Sequence, residues 1–226
     1  MKKVLKRIGL ALLFILIILI GWVALQFHSL PEGQSGDKAD EVARKMLESV
    51  NHKAFKKIKK INWTFRDKSH HEWNKKARTD RVRWGKNEVL LDFKSSNHAV
   101  VKGGGEFTNE ELIEQAIAHF YNDSFWLAAP FKVMDEGVER QAVEWEDGYA
   151  LRLTYTSGGN TPGDSYLWIL DEYYRPVAWR LWTSNTSIKG IELGWTDWQQ
   201  LKGAWFAPIH PGPGPISIDI TNLRVE

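Results

Sequence analysis

The chain has 226 residues, 43% of them apolar and 26% charged, with a formal net charge of +2 and no cysteine. That balance is ordinary for a globular chain long enough to bury one good core. The missing cysteine excludes disulfides, a thiol nucleophile and the lipid-modified N-terminal cysteine of bacterial lipoproteins.

Lys2, Lys3, Lys6 and Arg7 make residues 1–7 a basic tail. Residues 8–27, IGLALLFILIILIGWVALQF, then run for twenty positions without a charge, enough at about 1.5 Å rise each to cross a hydrocarbon layer about 30 Å thick. A cleaved signal peptide has a shorter apolar core and a small-x-small site, and Leu25-Gln26-Phe27-His28 is a poor one. An uncleaved transmembrane anchor is therefore expected, with Trp22 near its outer end. The next basic residue is Lys38, so the N-terminus should stay in the cytoplasm and the rest lie on the periplasmic side of the inner membrane. Such an anchor disfavours a nucleic-acid partner.

Residues 1–102 carry 22 Lys and Arg against 10 Asp and Glu, while residues 103–226 carry 8 against 18. Part of the basic excess is the tail. The run Lys53, Lys56, Lys57, Lys59, Lys60 reads equally as a surface for anionic groups or as a solvated helix face.

Residues 28–36 contain Pro, Gly and Ser and suit a flexible linker. One domain is expected over 37–226. Asp37 can cap a helix whose apolar face is Ala39, Val42, Ala43, Met46, Leu47 and Val50, and Asn51 can start another turn. The period then changes to two. Ile61, Trp63 and Phe65 alternate with polar residues, as do Val82 and Trp84, Val89 and Leu91, and Leu151, Leu153 and Tyr155. Val177, Trp179 and Leu181 follow, then Ile191, Leu193 and Trp195, and Ile216, Ile218 and Ile220. Short turns between them predict sequential antiparallel pairing. The expected fold class is mainly β (α+β): one strongly curved antiparallel sheet, a half-barrel of about ten strands, with helices covering or plugging its concave face.

Between the strand groups, Thr108 and Glu111 form a capping box flanked by Phe107 and Leu112 as a staple. Leu112, Ile113, Ala116, Ile117 and Phe120 make the inner stripe of that helix. Next comes NDSFWLAAPF, residues 122–131, with Asp123 as cap and Pro130 as terminator of a second, all-apolar helix. Its tip, Phe125, Trp126 and Leu127, is expected to plug the sheet as a lid. Twelve tryptophans are present, and Trp63, Trp84, Trp145, Trp179 and Trp195 fall on the inward parity of their strands. Such rings either fill a wide half-barrel or leave a greasy pocket between them.

The segments NDSFWLAAPFKVMDEGV, GGNTPGDSYLWILDEYYRPVAWRLW and GWTDWQQLKGAWFAP resemble the bacterial lipoprotein-sorting (LolA-like/LolB-like) superfamily over residues 40–225. The resemblance implies a curved antiparallel sheet covered by helices, with an apolar interior that receives lipid or the acyl chains of lipoproteins. It implies no enzyme activity and no cofactor. The soluble carriers of that superfamily shuttle freely, whereas an anchored chain would hold, hand over or sense at the inner membrane. On this basis Trp63, Phe65, Trp84, Phe120, Phe125, Trp126, Leu127, Trp179 and Trp195 are the candidate lining and lid residues.

Signals for chemistry are weak. His70 and Glu72 share one strand face while His71 points away, so a metal would have two ligands there at most, with His98 as a third. Asp164, in a Pro-Gly turn, and Asp197 could pair as acid and base in a hydrolase. No Gly-x-Ser-x-Gly elbow or phosphate-cradling loop is present. Residues 210–216, HPGPGPI, read as an irregular loop at the rim. The alternative to a lipid-binding domain is an envelope-sensing or protein-interaction module whose core is filled by its own side chains.

Overall fold

The computed structural model describes residues 7, 8, 10, 12–14, 21, 28–103, 107–145, 148–157, 161–184 and 189–226. Most of the expected anchor, residues 8–27, lies outside them, and among the described residues no helix is long and apolar enough to cross a membrane.

Helix α1, Asp37–Ser49, buries Ala39, Val42, Ala43, Met46 and Leu47, the face its three-four spacing predicts. Asp37 is its first residue rather than its cap. Gly36 holds the cap position without a side-chain bond, and Asp37 and Asp40 instead place negative charge in the first turn, where the helix dipole favours it. Asn51 does cap the short α2, His52–Lys57, accepting from Ala54 N at 3.2 Å.

The strands follow as β1 Lys60–Phe65, β2 Ser69–Asn74, β3 Thr79–Trp84, β4 Asn87–Asp92 and β5 Ala99–Lys102, then, beyond a helix, β6 Val138–Trp145 and β7 Gly148–Tyr155. The later strands are β8 Ser165–Leu170, β9 Pro176–Trp182, β10 Ile191–Gly194, β11 Gln199–Leu201, β12 Ala204–Phe206, β13 Ile209–Pro211 and β14 Ser217–Val225. They form a seven-stranded sheet in the order β13-β14-β1-β2-β3-β4-β5, a five-stranded sheet β10-β9-β8-β7-β6 and the hairpin β11-β12. Every pairing is antiparallel.

The single curled sheet of about ten strands is thus two sheets. After β10 the chain departs into the β11-β12 hairpin before returning as β13, and an isolated bridge, Thr196 N to Ile209 O at 3.0 Å, joins the two edges. Residues 210 and 211, the start of the expected loop 210–216, pair with β14 together with Ile209, and His210 is fully buried opposite Ile218. Val177, expected inside, is exposed, while both Ala178 and Trp179 are buried. A register shift at Ile169/Leu170 in the β8–β9 pairing accompanies this break in alternation.

Between the strand groups runs α3, Asn109–Ala128, followed by a 3-10 turn at Ala129–Phe131 that contains Pro130. The capping box is formed: Glu111 N donates to Thr108 Oγ1, and Thr108 N donates to Glu111 Oε2. Phe107 is exposed. The two expected helices are one, because Asp123 does not cap. It sits mid-helix with its carboxylate turned into the seven-stranded sheet.

Two cores result. One lies between α1 and the five-stranded sheet, and the other among the seven-stranded sheet, α2, α3 and β12; Trp126, Trp198 and Ile218 pack against both. Residues 28–36, expected as a flexible linker, are laid over the five-stranded sheet. Trp182 Nε1 donates to His28 O at 2.8 Å, Arg152 Nη1 to Pro31 O at 3.2 Å and Gly33 N to Gln141 Oε1 at 3.2 Å, and Gln34 bridges to Ala142. Backbone polar groups recruit these partners.

Candidate binding cavity

The second half of α3 and the inward face of the five-stranded sheet do not close on each other. A cavity of about 370 Å³ lies between them, in the size class that accepts small apolar ligands. From α3 come Phe120, Tyr121, Asn122, Ser124, Phe125, Trp126 and Ala128; from the sheet come Val138, Tyr155, Tyr166, Trp179 and Leu181; Trp73 of β2 adds a ring. Phe125 stands 5.6 Å from Trp179, 5.2 Å from Tyr166 and 5.3 Å from Tyr155 between ring centroids, and Trp126 stands 5.0 Å edge-on to Trp179. These separations suit offset and edge-to-face rings. The floor is therefore a preformed aromatic surface.

The mouth is polar. Lys132, Asp135, Glu136, Ser157, Thr161, Asp164 and Thr183 complete the lining. Asp164 accepts from Ser184 N at 2.9 Å and from the Thr161 hydroxyl, which ties the β7–β8 connection to the end of β9. Burial raises both the Tyr155 and Tyr166 phenols well above their ordinary range, so each stays neutral and offers no acid or base at neutral pH. Asp197 is exposed, accepts from Gln199 Nε2 at 3.0 Å and does not line the cavity. The two aspartates are not brought together there as a hydrolase needs.

A buried polar network holds α3 to the seven-stranded sheet. His71 Nδ1 is 2.8 Å from Asp80 Oδ2, and its Nε2 is 2.9 Å from Asp123 Oδ2. Ser69 donates to the same Asp123 oxygen, and Asn122 Nδ2 donates to Oδ1 at 2.8 Å. The Trp63 ring stacks on the imidazole at 4.4 Å. Burial lowers the imidazole pKa, but hydrogen bonds and charge from Asp123 and Asp80 outweigh it and push it up to about 9. Ser, His and Asp meet here without making a nucleophile: Ser69 bonds the carboxylate rather than the imidazole and is 1% exposed.

No group of three or more His, Cys, Asp or Glu among the described residues could hold a metal. His70 and Glu72 do face away from His71, but His70 Nδ1 bonds Thr64 Oγ1, Glu72 pairs with Arg83, and His98 accepts from Asp92 N. A second cavity, about 360 Å³ and lined by Asp40, Arg140 and Arg152, is polar. Arg140 there is paired with Asp40 at 2.7 Å.

Of the nine candidate residues, Phe120, Phe125, Trp126 and Trp179 line the cavity. The other five do not. Trp63 and Phe65 are buried under the seven-stranded sheet, Leu127 is buried beneath α3, and Trp195 packs on Trp168, Trp179 and His210. Trp84 lies against His119 at 5.2 Å. Trp145, also expected inside, takes the Arg180 guanidinium over its ring at 5.1 Å on the side where Arg180 pairs with Glu192.

Tyr166, Leu181, Trp73 and Ser124 were not among the candidates. Tyr155 and Leu181 have inward parity at strand ends, which is a usable signal, but parity does not say which end stays open.

No protein-family profile matches the chain, and no curated protein matches it. Among solved structures it is similar to a DUF1329 family protein from Desulfovibrio piger, at 10% identity and a TM-score of 0.41, over 84% of this chain and 94% of that chain.

Proposed function

We propose that the protein is a membrane-anchored, non-enzymatic binding domain that holds an acyl chain of a lipid or lipoprotein at the extracytoplasmic face of the inner membrane. The observation that carries this reading is the aromatic cavity of about 370 Å³ between α3 and the five-stranded sheet. Moving a chain from water onto Phe125, Trp126 and Trp179 gains about 0.8 kcal/mol per methylene, and no covalent step is needed. The sequence adds the uncharged run 8–27 as anchor.

The test is extraction of the purified full chain followed by mass spectrometry, with a fluorescent fatty acid as competing probe. A co-purifying acyl species that the probe displaces is expected. Finding neither bound lipid nor probe binding sinks the reading. Ser124→Trp fills the cavity from a helix position that is already half-exposed, and it is expected to lower probe binding at least tenfold while leaving the circular dichroism of the domain unchanged.

One observation favours a protein-interaction or sensing module instead. Trp168, Trp179 and Trp195 are 0–1% exposed and touch one another at 4.8–4.9 Å, so much of the interior is filled. On that reading the probe does not bind and an envelope protein is retained by the surface.

A further inference from the structure

We propose that the mouth of the cavity faces the bilayer from which the chain emerges, so that an acyl chain passes between membrane and cavity without crossing bulk water. This rests on the lipid-binding reading and adds an orientation to it.

The five-stranded sheet has two distinguishable ends. At one, the registers Val138↔Tyr155, Thr154↔Ser165 and Ser165↔Trp182 bring together the start of β6, the end of β7, the start of β8 and the end of β9. The mouth is at this end, since Glu136, just before β6, and Ser157, just after β7, line the cavity and are exposed. At the other end the β8–β9 turn carries Tyr173, which is 74% exposed and outside the cavity lining.

The N-terminal strap meets the domain at the first end. His28 N donates to Lys189 O at 3.0 Å in the β9–β10 connection, and His28 O accepts from Trp182 Nε1 at 2.8 Å. Both chain neighbours of Trp182, Leu181 and Thr183, line the cavity. The strap and the mouth therefore share the last residues of β9, on opposite faces of one strand.

The uncharged run ends at Phe27, directly before this pinned residue. With that run as the anchor, one peptide step, about 3.8 Å between Cα atoms, would be all the tether the domain has. Nor would it swivel freely, because the strap is held again at Pro31, Gly33 and Gln34.

The absence of cysteine makes the test clean. Full-length protein carrying one introduced cysteine, Glu136→Cys or Ser157→Cys at the mouth or Tyr173→Cys at the far end, is labelled with an environment-sensitive fluorophore. It is then reconstituted in phosphatidylcholine vesicles containing headgroup-spin-labelled lipid. Quenching at 136 and 157 is expected to exceed that at 173 several-fold. Equal or reversed quenching overturns the proposal, as does release of the full chain from vesicles by alkaline carbonate. Fatty-acid probe binding by the unlabelled cysteine-free chain in the same vesicles separates the two claims. Bound probe with equal quenching removes the orientation alone, whereas polarised quenching without bound probe keeps the orientation and removes the reading beneath it.

Discussion

His71 is fully enclosed between two carboxylates, whose hydrogen bonds and charge favour the protonated imidazole. Removing it leaves Asp80 and Asp123 buried without a counter-charge, so His71→Ala should destabilise the fold by about 3–5 kcal/mol, measured by urea denaturation at pH 7. The imidazole pKa is raised from 6.5 to about 9 in the folded protein. Its contribution is therefore complete below about pH 6.5 and disappears as pH climbs through about 9. Wild-type stability should fall across that window, and in His71→Ala the fall should be smaller. The direction of this side chain was legible in the sequence, because strand alternation sets His71 against His70 and Glu72. Its partners were not: Asp80 comes from β3 and Asp123 from α3, and no local pattern reports pairing across 9 and 52 positions.

Helix ends show the same division between local and distant causes. The Thr108 capping box is a local motif and forms as its spacing requires; Thr108→Ala should cost about 1 kcal/mol in a denaturant titration of the full chain. Asp123 before an apolar run carries a similar local signal, but its carboxylate accepts from Ser69 and Asn122 and pairs with His71. The backbone stays helical because those partners replace the cap. The strap departs from the expected free linker for a related reason. Pro, Gly and Ser in 28–36 predict a chain without regular structure, which holds, but they say nothing of docking. A Cβ at Gly33 would stand 2.6 Å from Ala142 O, so Gly33→Val should lift the strap. Faster amide hydrogen exchange at Gln34 and Ala142, with other β6 and β7 amides unchanged, is the expected result.

Across the whole molecule, sequential antiparallel pairing was legible from alternation and short turns, whereas the division into two sheets was not. That division depends on where the chain leaves one edge and rejoins another, through β11-β12 and the Thr196–Ile209 bridge. Among the described residues one isolated backbone bridge joins the sheets, so their cooperation rests largely on side chains shared by both cores, Trp126 foremost. Trp126→Ala should cost about 3–5 kcal/mol and lower the denaturant slope, as expected when two halves cease to unfold together. An unchanged slope would show that Trp198 and Ile218 suffice to couple them. The cavity was legible only as a preference for large inward rings, since volume left over depends on how rings from different strands meet.

Strand β14 sits between β1 and β13, in the interior of the larger sheet, although it is the last to be synthesised of the fourteen described strands. Until residues 217–225 have left the ribosome, β1 has no neighbour on that side and the sheets cannot be bridged in their final register. Pairing at such separation in sequence is slow to form. A nascent chain therefore keeps this edge of β1 open until its last described strand arrives, and an unpaired edge of that kind is a template for pairing with other chains.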